Sequence, residues 1–334
     1  QRMVHRGPDD AGFYHSKGGA FGHRRLTIID LSGGKQPMSS SDGESILVTN
    51  GEIYNYKELK KEYLSHIDFE SSSDTEVLLY MLKLKDNEAI SLLNGMFAFA
   101  YWDRGNNKVI LARDPVGQKP LFYYFGEKSF VFASELSSLA AHPETPMDID
   151  RESLARYLIF EGYPHPFSPL KGVRKLQPGY FMELDLINWE IYEYRYWNCI
   201  PENSEGYGVS ASDYLGEFSE IFSNAVERHL RSDVEVGVFL SAGLDSPSLV
   251  KAASAIRGGG EVKTFTIKHE IASFDESAYA ASVARYFGTK HHEKTLRAEE
   301  FLDDAKYLLS NIDEPIADPG FLAIYQVSKF SREY

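Results

Sequence analysis

The sequence VGVFLSAGLDSPSLVKAASAI at residues 236–256 decides the fold of the C-terminal part of this 334-residue chain. Its first five residues suit a buried strand. The residues after Pro247 place apolar side chains at the i, i+3, i+4, i+7 spacing of one helix face, namely Leu249, Ala252, Ala253 and Ile256. The same order returns downstream, with strands predicted at 262–267 and 290–295 and helices at 276–287 and 299–309. This alternation predicts a doubly wound parallel sheet, an α/β fold.

Small and polar residues fill the loop 241–246, which follows the first strand of this sheet. Open parallel sheets bind ligands outside the carboxyl ends of their strands, and the N–H groups at the start of the next helix attract anions. Ser246 before Pro247 is predicted to cap that helix, and Asp245 fits beside a phosphate when Mg²⁺ lies between them. The loop lacks the G-x-x-x-x-G-K-[ST] pattern, so kinase-like cleavage at a γ-phosphate is not indicated. The residues alone leave open a plain polar turn with a capping serine.

The N-terminal part has short apolar runs separated by Gly and Asn turns, which predicts an antiparallel meander and an α+β fold. Strands are predicted at 45–49, 96–102, 108–112, 120–125 and 129–133. Many of these runs are apolar at consecutive positions, so both faces of the sheet should be covered. Helical patterns at 56–64 and 75–84 are the expected covers, which predicts a sheet packed against helices on both faces.

Length and composition predict two domains, since 334 residues correspond to about two units of ~150 residues. The segment 198–212 has few apolar anchors and is the predicted linker between domains at 1–197 and 213–334. Lys and Arg number 35 against 49 Asp and Glu, a formal charge of −14, which argues against nucleic acid or an anionic membrane as partner. The longest apolar run, 96–102, is far shorter than the ~20 residues of a membrane span. The single cysteine, Cys199, fits a reducing, cytoplasmic compartment.

Both ends of the sequence are expected to be cut from a longer chain. Gln1 is not an initiator methionine, and the helical pattern at 328–334 stops without Gly, Asn or Pro. The second domain is therefore expected to be incomplete.

Seven stretches of the N-terminal part carry chemistry-bearing residues: HRGPDD (5–10), GHRRLTIID (22–30), NGEIYN (50–55), SDTE (73–76), GMFAF (95–99), ARDPVG (112–117) and KGVRKLQPG (171–179). In this order they resemble the glutaminase domain of the glutamine-hydrolysing asparagine synthetase family. The loop SAGLDS resembles the S-G-G-x-D-S pyrophosphate loop of ATP pyrophosphatases, with Ala242 in place of a glycine. If that position needs a positive φ, alanine stores about 1–3 kcal/mol of strain. The resemblance covers essentially the whole chain.

The resemblance implies an N-terminal sandwich of antiparallel sheets flanked by helices, of Ntn-hydrolase type, followed by the parallel sheet of an ATP pyrophosphatase. It implies an ATP-dependent ligase in which glutamine hydrolysis supplies ammonia to an aspartyl-adenylate. Aspartate and ATP, with Mg²⁺, would form that adenylate, and AMP and pyrophosphate would be released. The implied partners are the small-molecule substrates glutamine, aspartate and ATP, with a homodimer as one option.

The resemblance also assigns the glutamine site. Arg25 would offer a planar fork of donors to the α-carboxylate, and Glu52 and Asp74 would accept from the α-ammonium group. Asn50 and Gly51 would supply the N–H groups of an oxyanion hole. The implied binding residues are Arg25, Leu26, Thr27, Ile28, Ile29, Asn50, Gly51, Glu52 and Asp74. The alternatives are an ordinary hairpin turn at Asn50-Gly51 and surface salt bridges for the charged residues.

The resemblance also implies the ATP and pyrophosphate site, at Leu240, Ser241, Gly243, Asp245, Ser246 and Ile267, with Leu240 and Ile267 lining the adenine and ribose pocket. Asp245 would hold Mg²⁺ directly or indirectly. The alternative for Leu240 and Ile267 is that both are ordinary core residues.

The family's glutaminase uses an N-terminal cysteine whose own α-amino group acts as general base for the thiol. Cys199 is the only cysteine and falls in the predicted linker. We therefore expect that nucleophile ahead of Gln1, and we expect the chain as given to lack glutaminase activity.

Three other functions stay open at this point. One is a related amidotransferase acting on another carboxylate, such as a polysaccharide or natural-product precursor. The second is a β-lactam synthetase-like enzyme, in which an internal amine closes the adenylate. The third is an inactive nucleotide-binding module.

Overall fold

The computed structural model describes residues 2–200, 211–270, 275–318 and 320–334. They form two compact units, one of Gln1–Ser204 with Asp313–Pro315 and one of Glu205–Ile312 with Ile316–Tyr334. Most of the predicted linker, 201–210, lies outside the described residues. Its last two residues, Ala211 and Ser212, already belong to a helix. The domain limits at 197 and 213 stay a prediction.

Strands dominate the described part of the first unit. They are β1 (Asp10–Ser16), β2 (Gly19–Arg25), β3 (Met38–Ser39), β4 (Ser45–Ile53), β5 (Gly95–Asp103), β6 (Lys108–Arg113), β7 (Phe122–Phe125), β8 (Phe130–Ala133), β9 (Val173–Lys175), β10 (Tyr180–Asp185) and β11 (Glu190–Arg195). The helices are α1 (Tyr56–Tyr63), α2 (Asp74–Lys85), α3 (Leu136–Leu139) and α4 (Arg151–Phe160). The main sheet has the antiparallel order β11-β10-β6-β5-β4-β3, and β1-β2 and β8-β7-β9 form smaller antiparallel sheets.

The two faces of the main sheet have different covers, as the alternation along β5 shows. Phe97, Phe99 and Tyr101 pack with the buried residues of α1 and α2. Ala98, Ala100 and Trp102 point the other way and pack with residues of the smaller sheets, such as Phe21 and Tyr123. The expectation of helices on both faces is therefore wrong, because the smaller sheets supply their own aromatic side chains to one face. The antiparallel sandwich flanked by helices is confirmed.

The predicted helices 56–64 and 75–84 are confirmed as α1 and α2. The strand predicted at 45–49 continues to Ile53, straight through Asn50 and Gly51. The hairpin-turn alternative for Asn50-Gly51 is therefore wrong, because pairing with β5 extends to Ile53 opposite Gly95.

The second unit alternates helices and strands: α5 (Ala211–His229), β12 (Gly237–Phe239), α6 (Asp245–Arg257), β13 (Lys263–His269), α7 (Ser277–Phe287), β14 (Lys290–Leu296), α8 (Ala298–Asn311) and α9 (Gly320–Ser331). Its strands are parallel in the order β12-β13-β14. Val238 packs with α6 and α7 on one face, whereas Phe265 contacts Phe330 of α9 on the other. The doubly wound α/β fold is confirmed.

The start of α6 differs from the prediction. The helix begins at Asp245, with Leu244 at the N-cap position, so Ser246 does not cap it. The Ser246 hydroxyl instead accepts a hydrogen bond from the Ser241 N–H at 2.9 Å, which closes the preceding loop.

Among the residues described, no helix has the length and apolar character that crossing a membrane requires.

Candidate functional site

A cavity of about 530 Å³ lies in the first unit, on the face of the main sheet that the smaller sheets cover. Period-two alternation puts Val48, Asn50 and Glu52 on this face of β4, and all three line the cavity. The register partners of Asn50 and Val48 on β5 are Ala98 and Ala100. Because these partners carry only methyl groups, the sheet leaves room for a small molecule.

Arg25 ends β2 beside this cavity and organises the residues that follow it. Its buried Nη2 donates to the carbonyls of Ile29, at 3.0 Å, and Asp30, at 2.7 Å. The segment is thereby folded back against the guanidinium. Of the predicted binding stretch, Arg25, Leu26, Ile28 and Ile29 line the cavity. Thr27 is not among the lining residues, and its N–H donates to Asp9 Oδ2 at 2.8 Å.

Asn50 and Gly51 line the cavity from within β4. The Asn50 side-chain nitrogen is buried and has no hydrogen-bond partner among the described residues. Gly51 has φ +146°, and a Cβ there would lie 1.9 Å from the Met96 carbonyl oxygen. Only glycine therefore fits at this position. A buried amide donor without a partner is costly unless a ligand satisfies it.

Two carboxylates, Glu52 and Asp74, line the same cavity. Asp74 is the first residue of α2, and its carboxylate accepts from the N–H of Ile53 at 2.8 Å and of Thr75 at 2.9 Å. Burial raises the pKa of Asp74. Burial, followed by the charge of Asp74, also raises the pKa of Glu52, while Lys119 lowers it. Two buried carboxylates of this kind favour a cationic guest.

Sequence reasoning missed Lys119 and His23, which also line the cavity. The signal that could have found them is closeness to a motif. His23 lies inside the stretch 22–30, and Lys119 comes two residues after the stretch 112–117. The His23 Nε2 faces the Thr49 carbonyl oxygen at 3.1 Å, so this nitrogen carries the proton. Burial lowers the pKa of His23.

The loop 241–246 in the second unit forms a compact set of hydrogen bonds. The hydroxyls of Ser241 and Ser246 lie 2.9 Å apart, and the Ala242 N–H donates to Glu276 Oε2 at 2.9 Å. Ala242 is not among the residues with positive φ, so the strain considered for alanine does not arise. A carboxylate already sits on a backbone donor of this loop, which shows that the loop accepts an anionic oxygen.

The two apolar residues expected at the nucleotide site lie in different surroundings. Leu240 is buried in a core cluster with Val250, Ala280 and Ala284. Ile267 borders a separate cavity of about 190 Å³, which the loop residues do not line. Within the described ranges, no group of three or more His, Cys, Asp or Glu side chains is arranged to hold a metal ion, so Asp245 has no such cluster around it.

Two protein-family models match this chain, one in the N-terminal part and one in the C-terminal part. A family model described as "Glutamine amidotransferase domain" matches residues 1–197, and one described as "Asparagine synthase" matches residues 217–333. A putative glutamine-hydrolyzing asparagine synthetase 2 of Methanocaldococcus jannaschii is 34% identical over 99% of this chain and 67% of its own length. The chain belongs to the glutamine-hydrolysing asparagine synthetase family.

Other members of the asparagine synthetase family agree with this assignment. Asparagine synthetase 1 of Bacillus subtilis is 35% identical over 100% of this chain and 52% of its own length. A putative asparagine synthetase of Mycobacterium tuberculosis is 34% identical over 99% of this chain and 53% of its length. The chain thus spans about half the length of these two relatives. A solved glutamine phosphoribosylpyrophosphate amidotransferase of B. subtilis has 17% identity and a TM-score of 0.39 over 83% of this chain and 67% of its own, too low to add to the assignment.

Proposed function

We propose that this asparagine synthetase family member hydrolyses glutamine at the cavity of the first unit and uses the ammonia to convert aspartate to asparagine at the expense of ATP. One observation carries the proposal. The cavity joins a buried arginine, two buried carboxylates and a buried amide donor without a partner, at Arg25, Glu52, Asp74 and Asn50.

These groups match the parts of a glutamine molecule. The Arg25 donors not used for Ile29 and Asp30 are available to the α-carboxylate. Glu52 and Asp74 would hold the α-ammonium group. The side-chain N–H of Asn50 and the backbone N–H of Gly51 would stabilise the oxyanion formed when a thiolate attacks the side-chain amide.

The loop of the second unit supports a place for ATP. Ser241, Gly243 and Ser246 would hold the pyrophosphate, and Asp245 would hold Mg²⁺. Support comes from Glu276, whose carboxylate oxygen stands in for an anionic oxygen at the Ala242 N–H. When bound, ATP supplies an α-phosphorus that turns a carboxylate into an acyl-adenylate.

The proposal includes the organisation of the protein. We assign residues 1–197 to the glutaminase domain, 198–212 to the linker and 213–334 to the synthetase domain. A cytoplasmic location and small-molecule partners agree with one cysteine and a charge of −14. A homodimer is part of the same proposal.

The test uses the native full-length protein with glutamine labelled with ¹⁵N in its side-chain amide, aspartate and Mg-ATP. We expect the label in asparagine, with one AMP and one pyrophosphate per asparagine. If labelled pyrophosphate exchanges into ATP in the presence of a different acid but not in the presence of aspartate, that acid and not aspartate is the acceptor. Absence of exchange with every acid tried would reduce the second unit to a binding module.

A further inference from the structure

The stretch 112–117 and the two residues after it form a turn that two adjacent buried charges hold in place. The carboxylate of Asp114 is completely buried and accepts from the N–H groups of Gln118, at 2.8 Å, and Lys119, at 3.0 Å. Arg113 Nε donates to the Lys119 carbonyl at 2.7 Å, and its Nη2 donates to the Gly117 carbonyl at 2.8 Å. Both backbone polar groups of Lys119 are therefore fixed by buried charged side chains.

Glycine is required in the middle of this turn. Gly117 has φ +70°, and a Cβ there would lie 2.8 Å from Pro178 Cγ. The backbone that carries Lys119 consequently has little freedom to shift. A rigid base makes the direction of a flexible side chain reproducible, and this side chain lines the glutamine cavity.

The charges around Lys119 are mixed. Burial lowers its pKa, the charge of Glu52 raises it, Arg6 lowers it and Asp114 raises it. Burial, followed by the charge of Asp74, raises the pKa of Glu52 and Lys119 lowers it, while burial, followed by the charge of Glu52, raises the pKa of Tyr54. The other charged or titratable groups lining the cavity are His23, Arg24 and Arg25. Lys119 and Glu52 thus line the same cavity, and the positive charge of Lys119 lowers the pKa of Glu52.

We propose that Lys119 is a positioning residue of the glutamine pocket, the counter-ion that keeps Glu52 ionised until the α-ammonium group of glutamine takes over that role. The inference rests on the proposed glutaminase function and deepens it. The buried charges of Arg113 and Asp114 fix the backbone of Lys119, a residue that lines the cavity.

The sign of the pH effect follows from these charges. Glutamine recognition needs Glu52 ionised, and the loss of Lys119 removes an attraction that lowers the pKa of Glu52. That pKa therefore rises further in a variant without the charge, and binding weakens as the pH falls. At higher pH Glu52 is ionised without help, and the variant also lacks the cation that repels the substrate's ammonium group. Its affinity for glutamine then equals or exceeds that of the wild type.

The experiment compares kcat and KM for L-glutamine, without ATP or aspartate, in the native full-length protein at about pH 5.5 and about pH 8. Lys119→Met is expected to raise KM up to about tenfold at the lower pH, because the loss of one nearby positive charge raises the pKa of Glu52 further, with KM at or below the wild-type value at the higher pH. Lys119→Arg should restore the wild-type profile. Lys128→Met, which removes an exposed lysine at the turn between β7 and β8, should leave both values unchanged.

The outcomes separate the two levels of the proposal. If the wild type neither binds nor hydrolyses glutamine, the proposed function fails. If the wild type is active and Lys119→Met has the same KM ratio at both pH values, only the role of Lys119 is overturned. Should Lys119→Met not fold, Lys119→Gln gives the same readout, because it also removes the charge and keeps a polar side chain of similar length.

Discussion

Asn50 on β4 lies directly opposite Ala98 on β5, so the two side chains share the cavity face of the main sheet. The methyl group of Ala98 leaves the space beside the Asn50 amide open. We expect Ala98→Leu to fill this space and to lower kcat/KM for glutamine by about 10–10²-fold, because misplacing the substrate by an ångström is costly. Steady-state glutaminase kinetics and thermal unfolding would be measured together.

A matched variant lies on the other face of the same sheet. Ala112 is fully buried among the residues that pack with α1 and α2. Ala112→Leu should overpack that core, lowering stability by about 1–3 kcal/mol, while kcat/KM of the folded enzyme stays near the wild-type value. Equal effects of both variants on glutamine kinetics would contradict the assignment of the cavity.

The buried nitrogen of Asn50 gives a second prediction. In the native full-length protein, Asn50→Ala should cut glutaminase turnover by about 10²–10³-fold, the usual cost of one oxyanion donor, with a smaller change in KM. Asn94→Ala, at an exposed position just before β5, serves as the control. Unchanged turnover in Asn50→Ala would remove this side chain from the oxyanion hole.

Gly51 makes a prediction about stability. An added methyl group would meet the Met96 carbonyl oxygen at 1.9 Å in a backbone of φ +146°. Gly51→Ala should therefore lose about 3 kcal/mol or more, since strain and overpacking each cost about 1–3 kcal/mol. Urea unfolding would be compared with Gly162→Ala, where an added Cβ meets nothing within 4 Å. Similar stabilities for the two variants would show that β4 can move away from β5.

Local periodicity predicted most of the secondary structure, because helix and strand patterns are short-range properties. The strand-helix order of the second unit and helices α1 and α2 are correct to within a few residues. The cover of the main sheet was predicted wrongly, since both helices and sheets can bury an apolar face. Which of them does so depends on contacts between residues distant in the sequence, such as Phe21 with Phe132.

The candidate site was predictable only where a motif and its geometry coincide. Arg25, Asn50, Glu52 and Asp74 meet at one cavity because β2, β4 and α2 end or pass there. Asn50-Gly51 is the sequence of a hairpin turn, and only the pairing with β5 shows that it continues a strand. Lys119 gives no periodic signal, since its position depends on the buried charges of Arg113 and Asp114.

Glu276 provides a test of the loop in the second unit. Its carboxylate accepts a hydrogen bond from the Ala242 N–H at 2.9 Å and so adds a negative charge to the loop proposed to hold pyrophosphate. Glu276→Gln removes the competing charge and should tighten binding of Mg-pyrophosphate by about fivefold, roughly 1 kcal/mol. Calorimetric titration measures this without turnover. Glu261→Gln, at an exposed residue before β13, is the control, and weaker binding in Glu276→Gln would indicate that Glu276 assists the metal-bound anion.

The raised pKa of Glu52 predicts that its ionised carboxylate lowers the stability of the fold while it contributes to glutamine binding. Burial and the neighbouring Asp74 disfavour its charged form in the folded state, so ionisation costs stability. This cost is fully present above the folded-state pKa and absent below the unfolded value. Glu52→Gln should therefore raise Tm at about pH 7.5, by about 2–4 °C for each kcal/mol recovered, and leave Tm unchanged at about pH 4, while glutamine affinity falls.

Thermal unfolding at the two pH values checks this prediction, with Glu88→Gln as the control because Glu88 is exposed. The control should show the same Tm as the wild type at both pH values. A gain in Tm for Glu52→Gln that is equal at both would mean that packing, and not the removal of charge, is responsible. A gain confined to the higher pH identifies Glu52 as a group whose charge the fold maintains at a cost, which is expected of a residue kept to bind a cation.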